Sequence, residues 1–285
     1  MIKLNEDKLI KQSVIGEITS PQTTTAYRVT AFGEIKTLPG TGGITYNARI
    51  GDNACGWQAD HVEPCVTIKN SSEGANGALN TFSCIGNTAT IISGDAKGEK
   101  GFVTGKHGGC EHVMIDFSPE ILDKLAIGDK IQVQSFGQGL EFENIEGVKL
   151  FNIDPSILNK MGLTVNGEEI EVPVTHLVPS KIMGSGIGRD NVYRGDYDIQ
   201  LFDEKSVKEY NLNTLKFGDI VAIIDADHSF GRIYKEGAVS IGVIVHSDCV
   251  IAGHGPGVTT IMTSNNGKIT PKIDSSANLV KYFYE

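Results

Sequence analysis

The residues whose types suit metal or acid–base chemistry crowd into the last third of the chain. Ile223, Asp225 and Asp227 alternate at the end of an apolar run, so a strand there turns both carboxylates to one face. A second apolar run, residues 239–245, ends in His246-Ser247-Asp248, which gives His246 and Asp248 a common face. Gly253-His254-Gly255 follows and sets an imidazole between glycines, where the backbone is least crowded and a ligand comes closest. Neutral imidazole with carboxylate forms a divalent-metal set or a general acid–base set. Asp225, Asp227 and His246 are thus the expected metal ligands, and His254, His107 and His61 the expected catalytic groups. The competing reading makes the two aspartates the start of a turn and His246 a hydrogen-bonded core histidine. Strand register decides whether the two strand ends meet.

His107 lies in Gly105-Lys106-His107-Gly108-Gly109-Cys110-Glu111-His112, an exposed turn by its glycines. This segment fails the phosphate-loop pattern, because Lys100 stands five before Gly105 and His107 follows Lys106. The spacing of His107 and His112 is not the helical four of a zincin. His61 sits in Asp60-His61-Val62-Glu63-Pro64, just after the single tryptophan, Trp57, which reads as core. Two glycine-rich loops remain, residues 39–43 and 184–188. Backbone N–H groups of Gly184, Gly186 and Gly188, with Lys181 and the nearby Arg189 and Arg194, would make an anion nest, or else a flexible turn. Neither loop has the G-x-G-x-x-G of a strand–turn–helix, so no nucleotide cofactor is expected. Nucleophile-elbow, H-E-x-x-H, EF-hand and zinc-ribbon patterns are missing.

The elements that must position these groups read as strands. Apolar segments at residues 27–32, 66–69, 90–93, 113–117, 130–135, 220–224 and 239–246 are short, β-branched and bounded by Gly, Pro, Asn or Asp. Helices are predicted after Ser118-Pro119, after Asp154-Pro155 and over residues 203–210, with a fourth candidate at residues 5–12. One device occurs twice. Leu125-Ala126-Ile127-Gly128-Asp129-Lys130-Ile131 and Leu215-Lys216-Phe217-Gly218-Asp219-Ile220-Val221 both carry a Gly-Asp turn into a strand. The predicted fold is mainly β (α+β), with glycine-rich barrel- or sandwich-like modules and a few short helices. The echo suggests an internal duplication, and chance is its competitor. The predicted modules are residues 1–165 and 166–285, or one intertwined domain.

Composition narrows the partners. The chain of 285 residues carries 25 basic and 35 acidic side chains, a formal charge of −10, which repels phosphate backbones and anionic lipid. Nucleic acid and membrane are not expected partners, and no apolar run approaches the ~20 residues of a membrane span. Five scattered cysteines without a CxxC point to reduced thiols in a cytoplasmic protein.

Taken together, residues 39–44, Asp60-His61-Val62-Glu63-Pro64, and residues 93–98, 101–109, 183–188, 218–223, 237–243 and 252–258 resemble a prokaryotic family of unknown function of about this length. That resemblance covers nearly the whole chain and implies no particular activity. A local similarity to acetamidase/formamidase proteins spans residues 218–231 and implies only a shared turn. Two functions stay open. One is a cytoplasmic hydrolase or lyase of a small polar metabolite, with a His/Asp site holding Zn²⁺, Mn²⁺ or Fe²⁺. The other is a non-catalytic metabolite- or anion-binding homo-oligomer, for which the apolar tail Leu279-Val280-Lys281-Tyr282-Phe283-Tyr284 supplies either a subunit contact or packing on its own domain. Convergence of His61, His107, His246 and His254 on one cavity separates them.

Overall fold

β-Branched residues between glycine-rich bends become strands along most of the chain, which a computed structural model describes over residues 2–285. The first half supplies β1 (Gln12–Ile18), β2 (Arg28–Val29), β3 (Ile35–Lys36), β4 (Ile44–Thr45), β5 (Cys65–Lys69), β6 (Thr88–Ile91), β7 (Lys100–His107), β8 (His112–Asp116) and β9 (Lys130–Ser135). The second supplies β10 (Lys149–Leu150), β11 (Thr164–Asn166), β12 (Glu169–Val174), β13 (His176–Pro179), β14 (Ile220–Asp227), β15 (Ile233–His246), β16 (Gly257–Ser264) and β17 (Ile269–Ile273).

Strands β1-β9-β6-β7-β8-β5 pair in that order, and β5 pairs back onto β1, so six strands close into a barrel with β4 added beside β5. Closure leaves few strand edges to template aggregation. Val14, Ile18, Val66, Ile68, Ile91, Val103, Ile115 and Val133 pack in the barrel core, as the period-two alternation of β1 and β9 dictates. The second half forms a five-stranded sheet, β10-β16-β15-β14-β13, and a smaller sheet, β11-β12-β17. The fold is therefore mainly β, as the sequence indicates.

Both Gly-Asp turns form the same way. Gly128 and Gly218 take left-handed φ of 92° and 84°. Asp129 Oδ2 accepts from Ala126 N, and Asp219 Oδ2 accepts from Lys216 N, each at 2.9 Å. The first turn feeds the barrel strand β9 and the second feeds β14 of the five-stranded sheet.

The halves are tied together. β10 pairs with β16, and Ile50, Ile85 and Met114 share an apolar cluster with Val239, Ile241 and Val245. Lys106 is wholly buried, and its ammonium donates to Asn152 Oδ1 and the Tyr193 carbonyl, both at 2.7 Å.

Helices α2 (Pro119–Leu122), α3 (Pro155–Lys160) and α4 (Glu204–Glu209) start where Pro and Asp caps predict. Asp154 accepts from Ser156 N, and Asp203 from Ser206 N. Residues 5–12 differ from expectation and give one 3₁₀ turn, Glu6–Lys8, before β1 begins. The longest helix, α1 (Glu73–Phe82), was not expected. The tail forms α5 (Leu279–Tyr284) and packs on its own chain. Leu279 and Tyr282 are buried, and the Tyr284 hydroxyl donates to Asp116 Oδ2. Among the described residues, no helix is long and apolar enough to cross a membrane.

Candidate metal centre

The centre forms where the barrel meets the five-stranded sheet. His107 ends β7 and pairs with His112 at the start of β8, while His246 ends β15 and pairs with Gly257 at the start of β16. Strand β7 lies against β15 and β16, locked by Thr259 Oγ1, which donates to the Lys106 carbonyl and accepts from Lys106 N. Gly105 permits the approach, because a Cβ there would run into Val245. The His107 and His246 rings thereby come within 4.2 Å, centroid to centroid. Gly257 matters for the same reason: any side chain on it would strike Asp196 Oδ2 and His246 Nε2.

His61 joins from the loop before β5, in a left-handed conformation (φ 52°) that non-glycine residues seldom adopt. Its ring centroid is 5.1 Å from those of both His246 and His254. The four histidines singled out from the sequence therefore converge. Two carboxylates complete the set, Asp196 and Asp198. They lie on an extended segment bonded to Ser185 on one side and Val258 on the other, so Tyr197 and Ile199 enter the core and the aspartates face the imidazoles.

Four trios among the described residues have donor atoms close enough to share one cation, and the two without a cysteine are His107/Asp196/His246 and His61/Asp198/His254. His246 Nε2 is 2.6 Å from Asp196 Oδ2 and 3.6 Å from Asp198 Oδ1. Asp198 Oδ2 faces the other way, 3.1 Å from His254 Nδ1 and 3.8 Å from His61 Nε2. One carboxylate thus presents an oxygen to each trio.

An outer layer fixes the tautomers. His246 Nδ1 donates to the Ser247 carbonyl at 2.9 Å, an oxygen that only accepts, so Nε2 is the nitrogen left to face the carboxylates. His107 Nδ1 lies 2.5 Å from Glu63 Oε1, which leaves its Nε2 free to ligate. Glu63 also holds His112 Nδ1 at 3.0 Å and accepts from Thr67 Oγ1 at 2.7 Å. Asp60 stands 3.5 Å from His61 Nδ1 and accepts from the Cys249 thiol. A carboxylate or carbonyl thus stands behind the imidazoles of His246, His107 and His61, the usual support of a metal-binding histidine. Cys110 and Cys249 also lie near carboxylates, but burial pushes both thiols up and keeps them as donors.

The electrostatics favour a cation. Burial works against ionising Asp198, yet His246, His254 and His61 around it hold it well below the usual carboxylate range. Glu63 is lowered in the same way by His107 and His112, against its burial. Burial alone would depress His246, but Asp196 and Asp198 raise it well above an ordinary imidazole. His61 is raised by Asp198 and Asp60 against the same opposition. Protons thus sit on imidazoles wedged between carboxylates, places that a divalent ion fills by releasing them.

A cavity of about 450 Å³ opens onto this cluster, walled by His61, His107, Asp196, Asp198, His254 and several arginines. A larger cleft of about 550 Å³ beside His176 and Asp219 has no comparable donor set.

Asp225 and Asp227 do not reach the centre, which corrects the ligand set expected from the sequence. Asp225 adopts φ 60° at a bulge between Ile224 and Ala226, so the alternation that aimed both carboxylates one way is broken. Its Oδ1 accepts from Gly237 N, and Asp227 Oδ1 accepts from Ser229 N. Among the described residues, neither aspartate lines the cavity or belongs to a group of donor atoms close enough to share a cation. The expected anion nest also differs. Gly184 N donates to Asp198 O and Gly188 N to Arg232 O, so those amides are taken, and Lys181 lies in a 3₁₀ turn away from the cavity, whereas Gly186 lines it. The residues missed were Asp196, Asp198 and Glu63 in its outer role. Asp196-Tyr197-Asp198 is an alternating pair like Asp225/Asp227, and that alternation was its only local signal.

Residues 27–159 match the model described as "Domain of unknown function (DUF4438), N-terminal", and residues 160–283 match its C-terminal counterpart. Among solved structures, the chain is similar to that described as "Crystal structure of TM1086", at 47% identity over 98% of each chain with a TM-score of 0.95. No curated protein matches the chain.

Proposed function

The chain belongs to the DUF4438 family of unknown function, and on that premise we propose that it is a divalent-metal-dependent hydrolase or lyase of small polar molecules. One observation carries the reading. The outward nitrogens of His107 and His246 are tied to Glu63 and Ser247, so both Nε2 atoms are left for the side of Asp196, while Asp198 offers one oxygen to each trio. That donor set would hold two divalent ions, one in each trio. Imidazole with carboxylate and no thiolate suits Zn²⁺, Mn²⁺ or Fe²⁺.

Such ions supply a bound water that ionises near neutrality and a Lewis acid for a carbonyl or phosphoryl oxygen. The chain's own part is to position. Glu63, Ser247 and Asp60 orient three imidazoles, Gly257 clears room for Asp196 against His246, and the half-exposed His254 stands at the cavity mouth, where a substrate enters. Free thiols at all five cysteines support a reducing, cytoplasmic setting.

The test is metal content and turnover together. Protein purified without chelator and reloaded with Zn²⁺, Mn²⁺ or Fe²⁺ should hold close to two ions per chain, and His107→Ala and His246→Ala should lose them. Hydrolysis within a panel of esters, amides and phosphate esters should stop on chelation and return with the ion. Wild-type protein that retains no stoichiometric ion from any of the three removes the reading.

A further inference from the structure

We infer that the molecule acted on at this centre carries a phosphate group, gripped by Arg232 from the cavity floor and by Arg189 and Arg194 from its rim. The inference deepens the metal reading by naming the substrate class, and its principal observation is independent of any metal.

Arg232 is 2% exposed and lines the cavity. Among the described residues, its guanidinium makes one hydrogen bond and that a long one, from Nη1 to the Gly186 carbonyl at 3.4 Å. Nε and Nη2 are buried without a partner, and among the described residues no carboxylate lies within ion-pairing distance of the guanidinium. The Tyr197 ring backs it at 5.7 Å and fixes its plane. Buried guanidinium N–H groups without acceptors are steeply unfavourable unless something else supplies the oxygens. A protein that needed only to neutralise Asp196 would have paired with it.

The rim cations are also loosely held. Arg189 is nearly half exposed, with Glu111 at 3.9 Å and Asp190 at 4.0 Å. Arg194 donates Nε to Thr81 Oγ1 at 3.0 Å, which orients its fork without neutralising it. A planar carboxylate is satisfied by one guanidinium, whereas a tetrahedral phosphate accepts from several directions at once. Guanidinium groups from floor and rim fit the latter.

Charge balance agrees. Arg28, Arg189, Arg194 and Arg232 face Asp60, Glu111, Asp196 and Asp198 across the cavity, so the walls are balanced on their own. Each divalent ion brings two positive charges in exchange for the imidazole protons it releases, a net gain that makes the loaded cavity cationic in a chain whose formal charge is −10. A field of one sign confined to a cleft draws in an anion.

Calorimetric titration of inorganic phosphate, with acetate in parallel, tests this on manganese-loaded protein and on protein stripped with chelator. Phosphate should bind the loaded wild type at least tenfold more tightly than acetate does. Arg232→Gln should weaken phosphate at least tenfold while leaving manganese content unchanged. Arg189→Ala, at an exposed position that does not endanger folding, should weaken it severalfold. Phosphate that fails to bind the loaded wild type, or binds wild type and both variants alike, overturns the inference, as does acetate binding more tightly than phosphate. Arg232-dependent phosphate binding in a protein that takes up no metal would uphold the oxyanion site and sink the metal reading alone.

Discussion

Replacing Gly105 by alanine should part the two sheets that carry His107 and His246. A Cβ at this position would sit 2.8 Å from Val245 Cβ and closer still to its Cγ1. Val245 is 1% exposed and β-branched, so it has no free rotamer to retreat into. Overpacking of this kind costs roughly 1–3 kcal/mol. Val245→Ala alone removes two buried methyl groups and costs a similar ~1–3 kcal/mol. In the double variant the new methyl occupies space that valine vacated. Its loss should therefore fall short of the sum of the single losses by about 1–2 kcal/mol, far beyond the ~0.5 kcal/mol scatter of independent sites. Urea denaturation of the four proteins measures this, and metal affinity should follow the same pattern: weakened by Gly105→Ala, partly restored in the double variant. Strict additivity in both readouts would mean that the contact between β7 and β15 does not set the distance between the two histidines.

Three further outcomes follow from other parts of the molecule. Glu63→Gln removes the charge that holds His107 and His112, and metal affinity measured by competition with a chelating dye should drop ~10–100-fold with the fold intact. Arg49 clasps the buried Asp116 through Nε at 3.2 Å and Nη2 at 2.6 Å. Arg49→Ala leaves that carboxylate with the Tyr284 hydroxyl but no countercharge and should cost ~3 kcal/mol, much of it regained in Arg49→Ala/Asp116→Ala, as urea melts will read. His228 is wholly buried, and desolvation first, then the nearby Arg232, pushes its imidazole down to about 3. The unfolded chain therefore takes up a proton below pH ~6.5 that the folded chain refuses, so stability is lost as pH falls. Between pH 6.5 and 4.5, wild type should lose ~2–3 kcal/mol more than His228→Gln, at about 1.4 kcal/mol per pH unit. Equal acid sensitivity in the two proteins would contradict that assignment.

What was legible in the sequence was local. Period-two alternation and glycine-bounded runs gave the β class, and Pro and Asp caps marked α2, α3 and α4. The Gly-Asp turns formed with matching hydrogen bonds. Helix α1 was hidden because Gly74, Asn76, Gly77 and Asn80 are poor helix formers; packing of Leu79 on the barrel and the Asn76 and Asn80 bonds to the Glu111 carbonyl stabilise it instead. His254 and His107 could be named from the glycines beside them, although His107 is buried at the end of β7 and not on an exposed turn, and His61 and His246 from their places next to apolar strands, but their carboxylate partners could not. Asp196/Asp198 and Asp225/Asp227 look alike in one dimension. Only strand register and the bulge at Asp225 tell them apart, and both are set by pairing between distant segments. Glu63 was visible as a polar group before a strand. Its role behind His107 depends on β5, β7 and β8 lying side by side, which no short window of sequence records.

The most direct test is a crystal grown with manganese and measured at a wavelength where manganese scatters anomalously. Two anomalous peaks are predicted, ~3.5–4 Å apart. One should lie about 2.0–2.2 Å from the Nε2 atoms of His107 and His246 and from Asp196. The other should be enclosed by His61, Asp198 and His254, with the Asp198 carboxylate between the two. Manganese bound at Asp225 and Asp227 instead, or absent from both trios in fully loaded crystals, would contradict the account.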